Sequence, residues 1–163
     1  MLYYSVQTNS NMERITKRVE IGISSDIAFQ KFVNELNEWW PKEYTWSQNK
    51  LKKIEIDSRK GGLCTEIGPN GFRCDWGTVS EYSENKKISL KWQISQKREP
   101  IPDKEKASDV KVSFVENGNS TMVSFEHFNF ENHGEGADDY RNMMDSEQGW
   151  DYILNNFKTY CEL

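Results

Sequence analysis

Scarcity limits the chemistry of this chain before any motif is considered. Only three cysteines, Cys64, Cys74 and Cys161, stand in 163 residues. An odd count without C-x-x-C spacing excludes a disulfide framework or a zinc knuckle and leaves reduced thiols with packing roles. Long apolar runs are missing as well. No stretch approaches the ~20 residues that span a bilayer, and residues 1–12 lack the charged start and apolar centre of a signal peptide. A cytoplasmic protein without a membrane span is expected. Excess positive charge is the third absence: 21 basic against 26 acidic residues give a net charge of −5, with no Lys or Arg run longer than two. Nothing in that field gathers phosphate backbones, so nucleic acid is not an expected partner. The motifs G-x-S-x-G, H-E-x-x-H, G-x-x-x-x-G-K-[ST] and G-x-G-x-x-G are missing with their flanks. No cofactor, no metal and no catalytic residue is assigned.

Aromatic and alternating apolar residues are what the chain does hold. With 36% hydrophobic and 13% aromatic residues, a chain of this length can bury a real core. Residues 1–12 carry no period and read as a flexible arm, and residues 13–163 read as one domain. Ile15, Lys17, Val19, Ile21 and Ile23 alternate with Thr16, Arg18, Glu20 and Gly22, the period of a strand with one buried face. Ser24-Ser25-Asp26 can cap a helix carrying Ile27, Ala28, Phe32, Val33 and Leu36, and Pro41 discourages helix at Trp40. Two short helices, or one broken one, should follow the first strand. Strand patterns then cover 51–57, 63–67, 72–82 and 87–95, with Gly68-Pro69-Asn70-Gly71 as a turn. Gln96–Ser108 reads as a surface loop. A second hairpin joins Val110, Val112 and Phe114 to Val123, Phe125 and His127 through a turn containing Asn117-Gly118. At the end, Trp150, Ile153, Leu154, Phe157 and Tyr160 share one face of a helix, with Ser146 as a plausible N-cap and Gly149 near its start. The result is an α+β arrangement: a curved antiparallel sheet of about six or seven strands, two short helices after the first strand, and a long C-terminal helix as its lid. The concave apolar space beneath such a lid is where small-molecule sites occur.

The candidate ligand contacts are Trp39, Trp40, Trp76, Trp92 and Trp150, five of the six indoles, together with Phe125 and His127. Each indole offers a large flat apolar area and one N–H donor. Phe125 and His127 share a strand face with Val123, so the imidazole should point inward. There it can orient a ligand, act as a base or be hydrogen-bonded in the core. His133 lies in an acidic, glycine-containing segment, Glu131 to Asp139, which reads as a solvated loop and not as a metal site. Cys64 and Cys74 flank a hairpin without an identifiable base. Arg73, Lys97 and Arg98 could meet a ligand carboxylate if a pocket opens beside the hairpins, against the simpler reading of solvated surface cations.

Several pieces occur in a familiar order: Val19-Glu20-Ile21 followed by Ser24-Ser25-Asp26-Ile27-Ala28-Phe29, then Trp39-Trp40-Pro41, Arg59-Lys60-Gly61-Gly62, Trp76-Gly77-Thr78-Val79, Leu90-Lys91-Trp92, Thr121 to His127, and Gly149-Trp150. Over roughly residues 13 to 161 this order resembles the START-like (birch-pollen-allergen-like, SRPBCC) superfamily, in the branch related to the activator of heat-shock protein 90 ATPase. The resemblance implies a helix-grip fold, in which a curved antiparallel sheet encloses a long C-terminal helix. Three functions are open to it, since fold alone does not select among them: the first, non-enzymatic, is favoured on the concave apolar space beneath the lid, and the other two are alternatives. The first is binding of a small hydrophobic or amphipathic molecule between sheet and helix. The second is a chaperone-regulating interaction module with a chaperone as partner, and the third a cyclase-like enzyme using His127.

Overall fold

The computed structural model describes residues 12–163, so the arm expected over residues 1–12 lies, but for Met12, outside the described residues. The first strand, β1 (Ile15–Ile21), buries Ile15 and Ile21 and pairs antiparallel with the last strand, β7 (Ser120–Phe128), with Ile15 opposite His127. Helix α1 (Ser25–Asn34) follows, burying Ala28, Phe29, Phe32 and Val33 on one face. The helix breaks at Glu35 (φ −116°, ψ 27°), and α2 (Leu36–Trp39) stops where Trp40 turns extended (φ −65°, ψ 135°). Pro41 dictates that conformation, because its ring clashes with a helical preceding residue.

Strands β2 (Lys53–Ile56), β3 (Leu63–Ile67), β4 (Arg73–Ser83), β5 (Lys87–Trp92) and β6 (Ser108–Asn117) complete a seven-stranded antiparallel sheet of order β1-β7-β6-β5-β4-β3-β2. Since β1 and β2 lie at opposite edges, the chain between them must cross a face of the sheet, and α1 and α2 make that crossing. Register shifts at Cys64/Thr65 and between Val79 and Glu81 mark bulges on either side of β4, and bulges sharpen the bend and twist of a sheet. The fold is the α+β helix-grip, closed by the terminal helix α4 (Trp150–Cys161). That helix buries Trp150, Ile153, Leu154, Phe157 and Cys161, with Tyr160 half-buried at the margin. Edge-to-face contacts lock it to α1 and the sheet: Phe32 to Phe157 at 5.0 Å, Phe32 to Phe114 at 5.6 Å and Phe29 to Phe114 at 5.3 Å.

Three local readings are corrected by the structure. The segment before α4 contains a further helix, α3 (Ala137–Met144), which the glycines and acids around it concealed. Ser146 does not cap α4; its hydroxyl donates to the Met143 carbonyl at 2.6 Å and finishes α3 instead. The β6–β7 hairpin turns on Gly118-Asn119, because Asn117 already pairs with Ser120, and the positive φ of 66° falls on Gly118. That is the type II′ pattern with glycine first.

Gly149 forms the corner between α3 and α4. A side chain there would place Cβ 2.2 Å from the Met144 carbonyl oxygen, so only glycine lets the two helices meet this closely. Lys17 secures the same corner from β1, reaching Asp145 at 2.8 Å and Asp151 at 3.0 Å. Gly149→Ala is therefore expected to cost about 1–3 kcal/mol in urea unfolding, the range for a forced backbone shift. A loss below roughly 0.5 kcal/mol would contradict this corner geometry.

Candidate ligand-binding cavity

The sheet curls away from the start of α4 and leaves a cavity of about 280 Å³. Trp76 from β4 and Trp92 from β5 form its floor, with Ile54 and Glu66 from β2 and β3 beside them. Ile153 of α4 and the corner residue Gly149, with Tyr140, Met143 and Met144 of α3, form one wall. The segment after α2, which holds a 3-10 turn at Lys42–Tyr44, supplies Trp40, Tyr44, Thr45 and Trp46, and Arg98 comes from the loop after β5. Pro41 matters here, since by ending α2 it turns the chain so that Trp40 faces the sheet indoles. Trp40 and Trp76 stack at 6.0 Å with planes 26° apart, and Trp92 meets Trp76 at 5.8 Å and 67°. These separations fall in the favourable range for aromatic pairs.

Of the seven candidate contact residues, Trp40, Trp76 and Trp92 line this cavity, while Trp39, Phe125, His127 and Trp150 do not. Those four stand in the packed layer beside or behind it. Trp39 contacts Phe157 at 5.0 Å and donates its N–H to the Phe32 carbonyl at 3.3 Å. Phe125 lies 4.3 Å from Trp150, which in turn meets Trp92 at 5.2 Å. Lining residues that no sequence motif singles out are Tyr140 and Glu66. Tyr140 accepts the Trp92 N–H at 2.8 Å and donates its own hydroxyl to the Ile94 carbonyl at 2.7 Å. Burial pushes its phenol well above the ordinary range. Glu66, 1% exposed, has its carboxylate held by the backbone amides of Trp46 at 3.1 Å and Ser47 at 2.7 Å. The alternation of Cys64 and Glu66 along β3 was the signal that could have revealed its inward direction.

His127 is fully buried and both of its ring nitrogens are engaged. Trp150 donates its indole N–H to Nδ1 at 2.9 Å, and an indole N–H cannot accept. The imidazole proton must therefore sit on Nε2, which donates to the Ser108 hydroxyl at 2.7 Å. Ser108 then donates to Nε2 of His133, also at 2.7 Å, leaving the second proton of this relay on His133 Nδ1. That Nδ1 is buried and has no partner among the described residues. Burial, and then the neighbouring His133, hold His127 well below its ordinary pKa, and burial lowers His133 to about 4. Both rings are neutral, and they tie α4, β6, β7 and the 130–133 turn into one unit.

Other reactive groups are quiet. Burial pushes the Cys64 thiol far up and raises Cys74 and Cys161 to about 11, so none is a ready thiolate. Among the described residues no three His, Cys, Asp or Glu side chains converge as a metal site would. No described helix is long and apolar enough to cross a membrane.

A family model described as "Activator of Hsp90 ATPase homolog 1-like protein" matches residues 33–162. No protein of curated function shows significant similarity to the chain. Among solved structures, Txn09, an anthrahydroquino-Gama-pyrone synthase complexed with SUM, is similar with 24% identity over 91% of this chain and 97% of its own, at a TM-score of 0.65. CalC from Micromonospora echinospora, a self-sacrificing resistance protein, is 22% identical over 91% of this chain and 94% of its own, at 0.62. The Aha1 dimer from Colwellia psychrerythraea is 17% identical over 93% of this chain and 98% of its own, at 0.60. At these identities the likeness is one of fold.

The histidine pair makes stability depend on pH. In the unfolded chain both rings titrate near 6.5, whereas the fold holds His133 at about 4 and His127 well below its ordinary value. The unfolded state thus binds protons first as pH falls. Stability should be full above about 6.5 and erode between about 6.5 and 4, with a His133 share of about 1–2 kcal/mol once screening of this partly exposed ring is allowed for. Urea midpoints measured across that window for wild type and His133→Gln check this: the variant should lose the His133 share of the slope, and parallel profiles would contradict the account.

Proposed function

Because the chain belongs to the Activator of Hsp90 ATPase homolog 1-like family, within the START-like superfamily, we propose that it binds a small hydrophobic or amphipathic molecule in the cavity between the sheet and the start of α4. The observation that carries this reading is the cavity itself, about 280 Å³ of open space walled by Trp40, Trp76 and Trp92 in an otherwise close-packed core. Protein interiors seldom leave such space unfilled, because each void forfeits dispersion contacts. Removing apolar ligand surface from water would supply affinity at roughly 25 cal/mol per Å², less the costs of immobilisation. The Trp76 indole N–H is buried without an acceptor among the described residues, an unmet donor on a residue that lines the cavity. The other four candidate residues act at one remove: Trp39, Phe125, His127 and Trp150 hold the indole walls in place. Txn09, similar in fold, is a synthase complexed with SUM, which supports the reading that this fold accommodates a ligand.

A chaperone-regulating role is the second reading, favoured by the family description and by the likeness to the Aha1 dimer. It predicts stimulation of a chaperone ATPase by the purified protein. A cyclase-like reaction relying on His127 as base draws no support from the geometry, since both ring nitrogens are already bonded.

Neutral probes test the first reading. Addition of 2-naphthol or decan-1-ol is expected to change tryptophan emission and raise the melting temperature saturably, because a ligand bound only by the native state stabilises it. Trp40→Ala should weaken binding by about tenfold, the loss of one aromatic contact. The absence of any saturable response would count against ligand binding.

A further inference from the structure

We propose that the cavity selects planar aromatic molecules bearing an anionic group, with the rings against Trp40, Trp76 and Trp92 and the anion on Arg98 at the mouth. The inference rests on the small-molecule reading above and gives it a chemical class.

Size and wall shape come first. An apolar cavity of about 150 Å³ holds one benzene ring, so about 280 Å³ has room for roughly two fused rings. Six aromatic side chains, Trp40, Trp46, Trp76, Trp92, Tyr44 and Tyr140, line the cavity against five aliphatic or thioether ones. Flat aromatic faces reward aromatic partners through their ring quadrupoles, a gain that an alkyl chain of equal area does not make.

Charge comes second. Arg98 and Glu66 are the two lining side chains that carry charge, and they differ in what they have left to offer. The Glu66 carboxylate accepts the amides of Trp46 and Ser47 and is 1% exposed, so it presents little surface to a cationic ligand. Arg98 spends one guanidinium N–H on the Tyr44 carbonyl at 2.8 Å. No carboxylate among the described residues lies within salt-bridge distance of it, leaving four donors of a planar fork without a described protein acceptor. Such a fork matches a carboxylate with two parallel hydrogen bonds.

The backbone of Arg98 adds an independent indication. Arg98 closes a tight turn, donating its N–H to Ser95 O at 2.8 Å while Ser95 donates to Glu99 O at 2.8 Å. Its φ is +62°, the left-handed region where glycine and asparagine sit without penalty and other residues do so at a cost. The turn therefore carries a residue its own backbone does not favour. It is also clamped to the opposite rim, because the Arg98 carbonyl accepts the Trp46 indole N–H at 2.8 Å. Strain held in place by surrounding bonds, at the mouth of a cavity, is the pattern of a position kept for its side chain.

Titration calorimetry at neutral pH with 2-naphthoate, methyl 2-naphthoate, 2-naphthylmethylamine and decanoate tests the proposal, using wild type, Arg98→Gln and Arg98→Gly. The glycine variant suits the turn and keeps loss of fold from being mistaken for loss of binding. Wild type is expected to hold 2-naphthoate at least about tenfold tighter than the ester, the amine or decanoate. Both variants should reduce the acid to the level of the ester while the ester itself is unchanged. Equal affinity for acid and ester in all three proteins would overturn the role of Arg98 and leave the small-molecule reading standing. Preference for decanoate would overturn the aromatic selectivity, and no binding of any probe, together with silence toward the neutral probes above, would overturn both readings.

Discussion

The hydrogen bond from the Trp150 indole to Nδ1 of His127 is the contact on which the rest of this structure depends. It passes through the centre of the core, where an unpaired N–H or imidazole would cost about 1–3 kcal/mol. Its direction is fixed by the indole, which only donates, and that direction sets the proton positions on His127, Ser108 and His133 in turn. One rigid chain thereby joins the terminal helix to β7, β6 and the turn at 130–133. With the start of α4 held at that height above the sheet, and with Gly149 permitting a sharp corner into α3, the strands curling away beneath cannot close the space.

The same constraint explains the division of labour among the aromatic residues. Trp39, Phe125 and Trp150 are used up in packing, each filling a defined hole between α4 and its neighbours. Trp40, Trp76 and Trp92 pack on one another and line the cavity. Most polar groups around the opening are already paired: Tyr140 with Trp92 and Ile94, Glu66 with two backbone amides. A cavity with aromatic and aliphatic walls, mostly paired polar groups and an available guanidinium is chemically narrow, and the proposed selectivity rests on that narrowness rather than on the fold.

Much of this was legible in the sequence because period and turn chemistry are local. The two-residue alternation of Ile15 to Ile21 and of Val123 to His127 marked strands and their buried faces, and Pro41 marked the end of α2. The apolar stripe from Trp150 to Phe157 marked the lid helix. Helix α3 was not legible, since Ala137–Met144 starts from a left-handed Gly136 without a side-chain cap and carries acids on its exposed face. The inward turn of His127 could be read from Val123 and Phe125, but not that Trp150 would occupy its nitrogen. A cavity is a difference between large volumes contributed by distant segments, so no pattern along the chain encodes it. Tyr140, Glu66 and Arg98 reach the cavity through long-range pairing that only the folded topology creates.

The separation between supporting and ligand-facing indoles is the central claim, and it can be read one tryptophan at a time. Each indole N–H gives its own resonance in a proton–nitrogen correlation spectrum, so titration with 2-naphthol reports on all six positions together. The signals of Trp40, Trp76 and Trp92 should shift saturably, while those of Trp39 and Trp150 stay where their bonds to Phe32 and His127 hold them. Shifts concentrated on Trp39 and Trp150, with Trp40, Trp76 and Trp92 unmoved, would contradict the account.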